Sequence, residues 1–227
     1  MLRMRTILIA ASMILFSSAI ASANTILVAT LTNSQENPPT NPTTLAGVPR
    51  VSSGTAMFVL NDAMTSMTFT ATIFGIDFTG TQSADPNDNL VAAHIHAAPL
   101  GTPTTNAPVV WGFFGNPFND NNPNDVVVIP FPNGVGAIIS GKWDAPEGNG
   151  TTLAAQLPNI LSGNSYINFH TTQFGGGEIR GAITLVPEPT GLVLLAAGML
   201  GLLGFHWRHR PDSQVLAGRP WFKSLLR

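Results

Sequence analysis

Three histidines, a glutamate and an arginine are the residues of this chain best suited to chemistry. His94 and His96 stand two apart in Leu90-Val-Ala-Ala-His94-Ile-His96. A strand has a side-chain period of two, so both point to one face and Ala93 and Ile95 to the other. A second alternating segment, Tyr166-Ile-Asn-Phe-His170, sends Ile167 and Phe169 one way and Tyr166, Asn168 and His170 the other. Gly175 to Gly177 can turn the chain back. The returning arm puts Glu178, Arg180 and Thr184 on one face and Ile179, Ile183 and Leu185 on the other. The hairpin thus has an apolar face for a core and a face bearing His, Glu and Arg.

If these strands are neighbours, His94, His96, His170 and Glu178 converge. Three imidazoles suit zinc or copper, with a carboxylate or water as fourth ligand. The other reading is a hydrogen-bonded network in which Glu178 pairs with Arg180, Asn168 takes part, and no metal is needed. The network is the stronger expectation. Three histidines without a clear fourth ligand make an incomplete structural zinc site, and Arg180 offers Glu178 a partner other than a metal. No catalytic residue is assigned. The chain has no cysteine, which excludes thiolate catalysis and thiolate metal sites. It has no G-x-S-x-G nucleophile motif. The Asp/Asn-rich stretches 85–89 and 119–125 read as turns before they read as calcium loops.

The elements that must position these residues read as all-β. Strands are expected at 25–32, 54–60, 66–73, 90–96, 108–114, 126–131 and 135–143, followed by a short helical turn at 153–161 and the hairpin. The cleanest alternation is at 66–73, with Met67, Phe69, Ala71 and Ile73 facing in. Many short strands with Gly/Pro/Asn turns predict an antiparallel β-sandwich of immunoglobulin-like, Greek-key type. Residues 24–185 make one domain. Within them three basic residues (Arg50, Lys142, Arg180) stand against ten acidic ones, so the domain is about seven units negative. A nucleic-acid partner is excluded on that sign.

Both ends of the 227-residue chain read as addresses. Residues 1–23 carry Arg3 and Arg5, an apolar run, and Ala21-Ser22-Ala23, where Ala21 and Ala23 form a signal-peptide cleavage site. Residues 186–210 hold Pro187-Glu188-Pro189, an apolar helix at 190–205 expected to insert transiently in the membrane, and a basic block with Arg208 and Arg210. This three-part tail resembles the PEP-CTERM sorting signal of Gram-negative bacteria. The resemblance implies an exosortase as processing partner, and a cell-surface or extracellular destination. Residues 211–227 form a basic extension beyond the point where such tails usually stop.

Four separated motifs carry a second resemblance. Gln35-Glu36-Asn37-Pro38-Pro39, Ala93-His94-Ile95-His96-Ala97-Ala98, Tyr166-Ile-Asn-Phe-His170-Thr171 and Gly177-Glu178-Ile179-Arg180-Gly181 resemble, in order, the CHRD domain. That family is named for repeats in chordin, a secreted growth-factor antagonist, and occurs in secreted bacterial proteins. The resemblance implies a β-sandwich. The expectation is therefore a non-enzymatic envelope or extracellular-matrix module that binds exopolysaccharide or other envelope components. The alternative is a zinc or copper protein, superoxide dismutase-like or hydrolytic, built on the three histidines.

Overall fold

A computed structural model describes residues 24–99, 105–186 and 191–208. Ala21, Ala23, Pro187, Glu188, Pro189 and the extension at 211–227 lie outside them. The chain divides into two units, one ending at Leu185 and one beginning at Val186.

The first unit is antiparallel β. Its strands are β1 (Thr25–Thr32), β2 (Ser53–Leu60), β3 (Ser66–Phe74), β4 (Leu90–Ala97), β5 (Val109–Phe114), β6 (Val127–Pro130) and β7 (Gly136–Asp144). Helix α1 (Leu153–Leu161) follows, then β8 (Ser165–Thr171), β9 (Ile179–Ala182) and β10 (Thr184–Leu185). The expected second hairpin arm is thus two short strands. They part at Ile183, whose N–H turns to the Ser165 carbonyl. Leu185, expected inside, is exposed.

Hydrogen bonds join the strands in one continuous path, β5-β4-β8-β9-β1-β2-β3-β7-β6, with β10 also on β1. The path curls, because side chains far apart along it meet. Phe69 of β3 lies 4.6 Å, centroid to centroid, from Phe113 of edge strand β5. Trp111 of β5 stacks on Trp143 of β7 at 5.5 Å. Alternation drives this. Leu27, Ala29 and Leu31 of β1, Ala56, Phe58 and Leu60 of β2, and Met67, Phe69, Ala71 and Ile73 of β3 are all buried on the concave side. Aromatic pairs of this geometry add to what burial alone contributes.

β4 and β8 differ from the other strands. All seven residues of β8 are buried, and so are the last six of β4. Ala93, Ile95, Ile167 and Phe169 belong to the core. The opposite face, which carries the histidines, is covered by loops. α1 starts on a Thr152 cap whose hydroxyl accepts from Ala155 N–H, and it buries Leu153 and Ile160.

In the second unit, α2 (Gly191–Arg208) has 18 residues. Among the described residues no helix is long and apolar enough to cross a membrane. At 1.5 Å per residue α2 spans about 27 Å, short of a ~30 Å hydrocarbon core. Its run is also diluted by four glycines and ends in His206, Trp207 and Arg208.

Candidate functional site

Strand register assembles the site. β8 lies between β4 and β9, with His96 opposite Tyr166, His94 opposite Asn168, and Asn168 opposite Arg180. His170 is opposite Ala92. The odd-numbered neighbours are held in the core, so these even-numbered side chains share the other face. One nitrogen from each of His94, His96 and His170 lies within 4.8 Å of the others. All three are buried, at 4, 8 and 6 % exposure.

A different covering loop orients each ring. His94 Nε2 lies 3.1 Å from the Asn116 carbonyl, His96 Nδ1 2.8 Å from that of Ala107, and His170 Nδ1 3.0 Å from that of Gly175. A carbonyl only accepts, so each contact fixes the proton on that nitrogen and leaves the lone pair on the other. Burial, then the neighbouring His170 and His96, push the His94 pKa down to about 3. Burial pushes His96 down to about 4 and also lowers His170. The rings are therefore neutral at pH 7, with one proton each. The remaining nitrogens turn inward. His94 Nδ1 and His170 Nε2 are 3.1 Å apart, and His96 Nε2 is buried with no hydrogen-bond partner.

Glu178 is not part of this group. It is fully buried, and its two oxygens receive Arg50 Nη1 and Nη2 at 2.5 and 2.6 Å. Thr171 Oγ1 adds a bond at 2.6 Å, and the Ser52 hydroxyl another. The expected pairing of Glu178 with Arg180 does not form. Arg180 instead meets Glu36, at 3.8 Å, and donates to the Gln35 carbonyl and Asn106 Oδ1. Burial outweighs Arg180 at Glu36 and raises its pKa to about 7.

Sequence reasoning missed Tyr166. Its ring stacks on His96 at 4.7 Å and 5°, and the Arg180 guanidinium lies 4.7 Å from the ring centre. Its hydroxyl accepts from Ala107 N–H, the residue whose carbonyl holds His96. Tyr166 is the only tyrosine of the chain and sits at i−4 from His170 on the same face, which was the available signal. Asn168, in the middle of the face, leaves Oδ1 unpartnered, as do Glu36 Oε1 and Arg180 Nη2. Gly177 comes close to both Asn168 and Glu36; a Cβ there would lie 2.7 Å or less from each.

Three convergent imidazole lone pairs, each ring aligned by a carbonyl behind it, can hold a cation. No curated protein and no solved structure matches the chain. The family model of the CHRD domain matches residues 27–183, with all three histidines inside that span, and the chain belongs to the CHRD domain family.

Proposed function

We propose that this CHRD domain binds one transition-metal ion, zinc or copper, through His94, His96 and His170. The observation that carries the reading is the 3.1 Å contact between His94 Nδ1 and His170 Nε2. With both ring protons donated to carbonyls, two lone pairs face each other, and the unpartnered His96 Nε2 completes a triangle. A buried hydrogen-bond network would place a proton in that gap; a cation needs none. The network reading is also weakened by Glu178, whose carboxylate is spent on Arg50. The test is elemental analysis of the purified mature chain, before and after chelation. About one equivalent of zinc or copper, removed by chelator and restored by dialysis, is the expected result. A chain that stays metal-free after incubation with either ion overturns the reading.

The metal-binding domain is read as an exported envelope module without enzymatic activity, from a Gram-negative bacterium. Its curled sheet is read as the sandwich-like, Greek-key type. Supporting export are Ala21-Ser22-Ala23 behind an apolar run, and Pro187-Glu188-Pro189 before α2 and the basic block. An exosortase would remove the tail and leave the domain among exopolysaccharide and other envelope components. Mass spectrometry of exported protein checks both ends. The mature chain should start after Ala23 and should lack Trp221 and Phe222 in a host with the sorting protease. Retention of Met1 or of those two residues counts against the respective address.

A further inference from the structure

We propose that the metal's fourth position binds a small inorganic anion of two or three heavy atoms, and that the charge of Arg180 strengthens that binding. The inference rests on the three-histidine reading above and names the ligand class of that site.

Charge carries the argument. Zinc or copper(II) brings two positive charges, and three neutral imidazoles bring none to offset them. Glu178, the carboxylate on the same hairpin as His170, is committed to Arg50, Ser52 and Thr171. Among the described residues no carboxylate joins the three histidines as a possible ligand. A second cation stands close by. Arg180 is 1 % exposed, and its guanidinium lies 4.7 Å from the Tyr166 ring, whose face stacks on His96. Arg180 is only partly compensated. Its Nε is 3.8 Å from Glu36, and burial holds that carboxyl at about 7, so near neutral pH it is about half protonated. Its Nη2 has no acceptor. Buried charge without a counter-charge is costly, so the loaded site draws an anion.

Geometry sets the size and the role of Arg180. Three loops cover the histidines through the carbonyls of Ala107, Asn116 and Gly175, and leave each ring at most 8 % exposed. Behind so little exposure a small linear ion should reach the metal more readily than a tetrahedral oxyanion. β8 lies between β4 and β9, so Tyr166 stands between His96 and Arg180. Arg180 therefore acts through space, as a fixed positive charge in a dry environment.

The experiment uses the mature chain loaded with cobalt(II), titrated with azide and read from the visible absorption of the metal. Azide should shift the cobalt spectrum with saturation, and sulfate should not. Arg180→Met should weaken azide roughly tenfold, and Arg180→Lys should recover most of the loss. A cobalt spectrum that azide leaves unchanged overturns the proposal while the metal reading stands. Equal azide affinity in wild type, Arg180→Met and Arg180→Lys overturns the part given to Arg180. Failure to bind cobalt, zinc or copper overturns both, and is separately visible in the metal content. If Arg180→Met does not fold, the wild-type titration and Arg180→Lys still decide.

Discussion

His94 Nδ1 and His170 Nε2 face each other across 3.1 Å, and each ring's proton is already donated to a loop carbonyl. A cation between them turns a repulsion into two bonds. Binding to the folded state alone stabilises it by mass action, by ~2.7 kcal/mol at a hundred times Kd, or about 5–10 °C for a domain of this size. Thermal melts with and without chelator should differ by that amount in wild type. His96→Ala should melt lower and show no chelator effect. Equal melts with and without chelator in wild type would point to a metal-free network.

Glu178→Gln separates fold from site. Glu178 is buried and held by Arg50, Ser52 and Thr171, so the variant leaves a guanidinium that is only 12 % exposed without its counter-charge. The expected cost is about 3–5 kcal/mol, read by chemical denaturation. Metal content per folded chain should be unchanged. A fall in metal content at unchanged stability would return Glu178 to the ligand set.

Tyr166→Phe keeps the stack on His96 and removes the hydroxyl that accepts from Ala107 N–H. The Ala107 carbonyl then aims His96 less firmly. Metal affinity should fall by about tenfold, with stability changed by roughly 1 kcal/mol. Competition with a coloured chelator measures the affinity; no change there would leave Tyr166 with a packing role only.

Gly112 and Gly176 make a matched pair. A Cβ on Gly112 would lie 1.9 Å from the Pro117 carbonyl oxygen and 3.0 Å from His94 Cδ2. Gly112→Ala should cost ~2 kcal/mol or more and disturb metal binding, because the loop bearing Asn116 must move. Gly176 has open space around it. Gly176→Ala should leave both melting temperature and metal content unchanged.

Glu36 gives a pH dependence. Its folded pKa, about 7, is above the ordinary 4.5 because burial disfavours the carboxylate. A raised pKa contributes stability that is present below 4.5 and lost as pH rises toward 7. Glu36→Gln removes that loss. The stability of the variant relative to wild type should rise between pH 4.5 and 7, by on the order of 2 kcal/mol. A flat difference across that window would mean that Arg180 compensates the buried charge fully.

The sequence-based strands lie within a residue or two of the observed ones, because a half-buried strand must alternate and 66–73 does so at every step. His94, His96 and His170 could be seen as facing one way for the same reason. What alternation cannot carry is which strand neighbours which, and so the single curled path was not legible. Nor was the partner of Glu178. Arg50 lies 128 residues away in a loop, whereas Arg180 is two residues away on the same face. Proximity in sequence favoured the wrong arginine, since a two-residue neighbour on a strand stands some 7 Å off and need not turn toward it. The loop carbonyls that aim the imidazoles were invisible for a plainer reason. Every residue has a carbonyl, and side-chain identity does not mark the ones that matter.

β1 hydrogen-bonds to β2 on one side and to β9 and β10 on the other, with Leu27 opposite Leu185. The earliest strand of the domain is thus completed by the latest. A chain delivered end-first, whether from a ribosome or through a pore, cannot close this sheet until its last strands have arrived. Until then the β1-β2-β3-β7-β6 part of the sheet can pair, but β1 keeps one bare edge. The topology makes closure of the sheet at β1 a late, long-range event. The same adjacency brings the two ends of the domain together, so a short linker between them, with new ends cut at the exposed 62–65 turn, should preserve the fold.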